Sequence, residues 1–283
     1  MIRFGTCSWK YDSWQGIVYS HKAKTNYLLE YSQKYNTVEI DQWFWSLFGI
    51  DKVSLPLPHV IKEYNQSVPD DFKFTIKIPN SITLTHFYRK NKNEDLNENP
   101  YFLSHEIFDR FMELLQPMHK KVGLLMFQFE YLNKKKMRSQ DEFLARLRNF
   151  ISRCNPHFCY AIEIRNPNYL NSKYFQFLND HRLSHVFLQG YYMPSLIQMY
   201  SSYGSQIQDT VVIRLHGPDR GDIEEKSKGI WNKIIEPKDD ELSRITKIIE
   251  ELNTRNIDVY VNVNNHYEGS APLTIERIKR QME

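Results

Sequence analysis

Four segments of this chain place charged side chains at alternate positions or at a single inward position, and a fifth places amides there: Glu39 and Asp41, Lys77, Glu163 and Arg165, Arg214 and His216, and Asn262 and Asn264. The positions between and beside them are apolar, as in Val38 and Ile40, Ile162 and Ile164, or Ile213 and Leu215. Such alternation marks β-strands with one face on a core. Charges on the other face are expensive to bury unless they are paired or used. His216 has a side chain whose ordinary pKa suits proton transfer near neutrality, and Glu39 and Glu163 are the candidate bases beside it. Arg165, Arg214 and Lys77 form a cationic set suited to carboxylate or phosphate oxygens. Lys77 reads as an electrostatic anchor in preference to a Schiff-base amine. Gln128, Asn264 and Asn265 are expected to orient a ligand, with Trp9, Tyr11 and Asp41 completing the wall.

The elements that must carry these residues are legible as strand-like runs at 2–8, 37–41, 72–79, 122–129, 159–165, 184–189, 210–216 and 258–265. Helical periodicity is clear at 107–118 and 241–252 and weaker at 26–35, 56–65, 140–151, 169–180, 194–201 and 272–282. Eight strands each followed by a helix predict one α/β domain over residues 1–283, a single (β/α)8 TIM barrel, in preference to two open sheets. Its long connections follow strands one and three, at 9–20 and 86–100, the second polar enough for a lid or a surface insertion. The polar positions then converge at the C-terminal mouth, where such barrels place their chemistry. Glu39 and Glu163, from strands two and five, are expected on opposite sides of a small ligand. The competing expectation is a lattice of ion pairs without catalytic purpose. Gly269, Ser270 and Pro272 open the last helix with the composition of an anion-binding N-terminus, or of a plain cap.

Composition narrows the partners. Hydrophobic residues make up 41% and charged residues 25%, with no apolar run long enough for a membrane span. The start of the chain shows no secretory signal, and Cys7, Cys154 and Cys159 have no metal-ligand spacing, so reduced thiols and a cytoplasmic location are expected. A formal charge of +3 argues against nucleic acid as the favoured partner, and the basic clusters at 89–92 and 133–138 read as solvated loops. Aromatic residues reach 14%, and Trp9, Tyr11, Trp14, Trp43 and Trp45 fall between strands, where they would serve as a rim or contact surface.

Taken in order, the segments "GTCSW" with Tyr11 and Trp14, "NTVEI", "FKFTIKIP" with His86, "GLLMFQF", "AIEIRNP", "IRLHGP" and "NVNNHYEGSAP" resemble the YecE-like family, also called domain of unknown function 72. The resemblance spans nearly the whole chain. It implies the (β/α)8 barrel and brings no assigned reaction. Cys7 and Ser8 stand where the family usually has serine and glycine, which argues against Cys7 as an indispensable nucleophile. Asp41 replaces an asparagine, and Asn166 and Tyr169 replace a histidine and a tryptophan, so the rim departs from the pattern while the inward polar set keeps it.

Positions also test known barrel chemistries. The carboxylates of many retaining glycosidases would fall at Gln128 and at Arg214 or His216, which disfavours that reading. No His-x-His follows the first strand, and no three-cysteine motif appears. The leading expectation is a metal-independent acid–base enzyme, without cofactor, acting on a small anionic substrate. The alternatives are a phosphodiesterase of nucleic acid or nucleotides holding one divalent ion through Glu39, Asp41, Glu163, His216 and His266, and a non-catalytic ligand- or partner-binding barrel.

Overall fold

A computed structural model of the protein describes residues 1–283 except 22–25, 51, 90 and 92. Its strands are β1 (Ile2–Thr6), β2 (Thr37–Ile40), β3 (Lys73–Lys77), β4 (Val122–Phe129), β5 (Tyr160–Ile164), β6 (Ser184–Gly190), β7 (Thr210–Gly217) and β8 (Asp258–Val263). All pairings between them are parallel, in the order β1-β8-β7-β6-β5-β4-β3-β2. The helices between them are α1 (Tyr27–Ser32), α2 (Pro58–Gln66), α3 (His105–Leu114), α4 (Gln140–Ile151), α5 (Ser172–Asp180), α6 (Leu196–Tyr203), α7 (Asp239–Thr254) and α8 (Ala271–Gln281). The expected (β/α)8 barrel is therefore the fold.

The ring meets at β1 and β2 through close approach and a side chain instead of a ladder. A Cβ on Gly5 would lie 2.2 Å from the Thr37 carbonyl oxygen, so only glycine lets the two backbones come together there. The Tyr31 hydroxyl of α1 accepts from the Thr6 amide (2.9 Å) and donates to the Thr37 carbonyl (3.1 Å), satisfying both strands across the seam.

Strand parity sorts the residues as expected. Val38, Ile40, Phe74, Ile76, Ile162, Ile164, Val211, Ile213, Val259 and Val261 pack outward into the core beneath the helices. A smaller inner cluster of Leu124, Met126, Ala161, Val186, Val212 and Tyr260 fills the barrel. Above it lie Glu39, Thr75, Glu163, Arg214 and Asn262, all buried. Helix α4 shows the outer layer's logic: the Ser139 hydroxyl accepts from the Glu142 amide to cap it, and Phe143, Leu144, Leu147, Phe150 and Ile151 form its buried face.

Several local expectations are corrected. The helix expected to run to 118 ends at Leu114, and a 3₁₀ segment, Gln116–Lys121, follows, because Pro117 disfavours α geometry at the residue before it. An antiparallel pair, Leu47–Gly49 with Lys52–Val53, a single turn at Asn80–Thr83 and an additional helix, Arg220–Ser227, had no apolar period to announce them. Most of the aromatic residues expected to form a contact surface are core instead: Trp9, Trp14, Tyr19 and Trp43 are buried, whereas Trp45 is largely exposed. Segment 86–100, in which 90 and 92 lie outside the described residues, is anchored at its base by a His86–Glu98 bridge and by Asn99, which donates to the Ser81 and Leu84 carbonyls (2.8 and 2.6 Å). No described helix is long and apolar enough to cross a membrane.

Candidate functional site

The inward side chains at the C-terminal ends of the strands form one connected polar cluster. Arg214 of β7 lies at its centre. Its Nε and Nη2 donate to both oxygens of Glu39 on β2 (2.9 and 2.7 Å), while Nη1 donates to Glu163 on β5 and, more weakly, to Gln128 on β4 (3.4 Å). Arg165 continues the chain of charges, donating from Nε to Glu163 (2.9 Å) and from Nη2 to the Gln128 side-chain oxygen (3.1 Å). Asn262 on β8 donates to Glu39 (3.2 Å) and to the Thr75 hydroxyl on β3 (2.9 Å). Alternating charge and dense hydrogen bonding make such burial tolerable, although the Asn262 side-chain oxygen is buried without a partner among the described residues.

This arrangement corrects the expected roles of the two glutamates. They do not flank an open space for a ligand, because the Arg214 guanidinium occupies the space between them. Burial alone would raise the Glu163 pKa, but Arg214 and then Arg165 outweigh it and hold the carboxyl at about 2. Both glutamates are thus committed to arginine. Arg214, 2% exposed and engaged by both carboxylates, is part of the floor and is not an open anion receptor.

Three titratable groups lie in the field of this floor. Lys77, at the end of β3, is buried with its ammonium 4.0 Å from the Phe44 ring centroid. Among the described residues it has neither a hydrogen bond nor an ion pair. Desolvation, with Arg214 adding to it, lowers its pKa from 10.5 to about 8. Asp41, just beyond β2, moves the other way: burial first, then the nearby Glu39, raise it to about 6. His216, at the end of β7, is held well below its ordinary value by burial and by Arg214, Arg165 and Lys77. It is therefore a neutral imidazole near neutrality, where an ordinary titration had been expected.

The His216 ring is fixed from both sides, Nε2 lying 3.5 Å from Cys7 Sγ and Nδ1 3.2 Å from the Tyr191 hydroxyl. Burial, with Glu39 next, pushes the Cys7 thiol up, so it is a protonated hydrogen-bonding partner and not a thiolate. Tyr191 was not foreseen. It follows β6 at a positive φ of 55°, and its ring receives the Arg165 guanidinium at 4.8 Å from the centroid, so it joins the ends of β5 and β7. The aromatic pair after Gly190 at a strand's C-terminal end was the available signal. Phe44 was also missed, since nothing in its sequence neighbourhood separates it from a core residue.

The remaining expected site residues divide. Tyr11 lies in the field of Asp41 and Cys7, and Gln128 lines the mouth beside Arg165. Trp9 is 1% exposed and packs edge-on against Tyr64 of α2, which places it in the core. Asn264 accepts from the His266 amide (3.0 Å), and Asn265 accepts from the Ala271 amide at the start of α8 (2.9 Å). These two asparagines shape the last loop. Ser270, Ala271 and Pro272 are buried beneath it, so the expected anion site at that helix end is closed. Of the five residues expected to hold a divalent ion, both glutamates are paired with arginine and His266 lies 3.1 Å from Glu224. Among the described residues no three His, Cys, Asp or Glu side chains are placed to hold a metal ion.

The fold and this mouth define the protein as a (β/α)8 barrel with a buried, charge-balanced polar layer beneath its C-terminal opening. A family model described as "Protein of unknown function DUF72" matches residues 3–283, so the chain belongs to the DUF72 family, the same family as the YecE-like resemblance. Similar solved structures include a DUF72 family protein from Enterococcus faecalis V583, with TM-score 0.68, 20% identity, and coverage of 100% of this chain and 95% of that one. Another is a DUF72 family protein from Thermotoga maritima MSB8, with TM-score 0.67, 20% identity, and coverage of 100% and 99%. At that identity they show the fold alone. No curated protein matches the chain.

Proposed function

We propose that the barrel mouth is the active site of an enzyme that acts on a small carboxylate- or phosphate-bearing molecule by acid–base chemistry. The observation that carries this reading is Lys77, whose buried ammonium makes no hydrogen bond or contact ion pair among the described residues and has only the field of Glu39, Glu163 and Asp41 against its desolvation. Leaving a charge in that condition costs stability, and such costs persist where a ligand supplies the missing partner. Arg165 is the second anion contact. Its side chain is 29% exposed, and among the described residues its Nη1 has no hydrogen-bond partner.

Proton transfer falls to groups other than Glu39 and Glu163, which serve to hold the arginines. Asp41 at about 6 and Lys77 at about 8 bracket neutral pH, the condition under which a general acid and base exchange protons readily. Neutral His216, whose two ring nitrogens face Cys7 and Tyr191, takes part in proton transfer only by exchanging one of these partners for the substrate. No specific observation favours the metal-dependent phosphodiesterase.

The test is native mass spectrometry of the protein after exposure to a mixture of small carboxylates and phosphates, with consumption of each compound followed in parallel. Wild type is expected to retain an anion and consume it, and Lys77→Met and Arg165→Met to do neither. Retention without consumption would make the barrel a binding module. Retention unchanged in both variants would overturn the site assignment.

A further inference from the structure

At Arg165, just beyond β5, the mouth opens into a cleft of about 470 Å³ whose other walls come from four further connections. Phe44 follows β2, Leu84 and Tyr88 follow β3, Tyr131 follows β4, and Tyr191, Tyr192 and Met193 follow β6. This is the size range of small-molecule sites. Tyr88, Tyr131 and Tyr192 are exposed at 55%, 56% and 99%, an aromatic concentration that solvent alone does not favour. Trp45 extends it, its ring 6.2 Å from that of Tyr88. The charges at the cleft are unequal in their engagement. Glu130 is paired with Lys136 at 2.6 Å, whereas Arg165, whose Nε and Nη2 are held by Glu163 and Gln128 and whose face rests on Tyr191, has an Nη1 without a hydrogen-bond partner among the described residues. The Phe44 ring that carries Lys77 is part of the same wall.

We infer that the ligand of this site is amphipathic, a molecule in which a flat aromatic ring is joined through a short linker to a carboxylate or phosphate. The ring packs among Tyr88, Tyr131, Tyr192 and Met193, and the anion reaches Arg165 and Lys77. This rests on the anion-binding reading of the mouth and adds the body of the substrate to it. Aromatic rings pack well on tyrosine faces and edges, and a methionine thioether adapts to them. An aliphatic anion would leave that surface wet.

Three probes separate the two halves of the inference: 3-phenylpropionate, propionate with the same anion and no ring, and 3-phenylpropan-1-ol with the same ring and no anion. Binding is read by ligand-observed NMR titration. The expected result is affinity for 3-phenylpropionate at least about tenfold above either partial probe, the increment that one well-packed ring supplies. Tyr131→Ala and Tyr192→Ala, at exposed positions that the fold does not need, should reduce binding of 3-phenylpropionate several-fold and leave that of propionate unchanged. Equal affinity for propionate and 3-phenylpropionate would overturn the aromatic body while sparing the anion site. Equal affinity for the alcohol would overturn the anion site. Binding of none of the three would overturn both.

Discussion

Glu39 and Arg214, separated by 175 positions in the chain, meet inside the barrel as a two-pronged ion pair at 2.7 and 2.9 Å, each under 3% exposed. The guanidinium also serves Glu163, so one cation balances two buried carboxylates contributed by β2 and β5. Removing it leaves Glu39 without a contact cation and Glu163 with Arg165 alone. Arg214→Met is therefore expected to destabilise the fold by about 3–5 kcal/mol, the range for breaking a buried pair from one side. Urea denaturation checks this, and a loss below about 1 kcal/mol would show that water or rearrangement replaces the arginine.

The carboxylates of the mouth predict opposite pH effects on stability. Glu163 has a folded pKa of about 2 against an ordinary value of 4.5, so its contribution is present above 4.5 and is lost as pH falls toward 2. Asp41 is raised from 3.8 to about 6, so its contribution is full below 3.8 and is lost as pH rises through 6. From pH 7 to 5 protonation of Asp41 should therefore add stability, before the Glu163 ion pairs fail at lower pH. Denaturation midpoints measured at successive pH values should show the first gain disappear in Asp41→Asn and the acid loss flatten in Glu163→Gln. Unchanged profiles in both variants would refute the assignment.

At the barrel seam, Tyr31→Phe deletes one oxygen that serves both Thr6 and Thr37. A buried amide and carbonyl then lack their partner, at a cost of about 1–3 kcal/mol. Amide hydrogen exchange should locate the effect at the ends of β1 and β2, with the β7–β8 ladder unaffected. Uniform loss of protection around the ring would mean that the hydroxyl supports the whole barrel and not the seam.

The fold was legible because parallel strands buried on both faces repeat the same pattern: Val38 and Ile40, Ile162 and Ile164, and Ile213 and Leu215 all declare their outward side. The polar side was legible for the same reason. What a period of two does not state is which inward charge meets which across the ring. Glu163 and Arg214 were both found, and a lattice of ion pairs was the competing expectation, yet the sharing of Arg214 between Glu39 and Glu163 depends on barrel registration and side-chain reach. Asn264 and Asn265 share the composition of ligand contacts and of loop caps, and their backbone partners decide between these. Trp9 misled because a tryptophan just past a strand fits a rim as well as it fits a helix-facing core. Tyr191 carried no parity signal at all, since it stands beyond the strand in a turn.

Lys77 allows stability and function to be separated in one substitution. Its folded pKa of about 8 lies below the ordinary 10.5, so its stabilising contribution is present above 10.5 and is lost as pH falls through 8. At pH 7 the buried charge is a net cost. Lys77→Met, which keeps an unbranched side chain against Phe44 and removes the charge, is expected to raise stability at pH 7 by about 1–3 kcal/mol, a gain that fades toward pH 10.5. The same variant should lose anion binding, and in wild type that binding should weaken as pH rises through 8 and the ammonium is neutralised. Thermal denaturation and probe titration on one preparation test both. A more stable protein that no longer binds shows a charge kept against the interest of the fold because a ligand completes it. A less stable one shows that the ammonium is already compensated within the barrel, which removes the argument for an anion there.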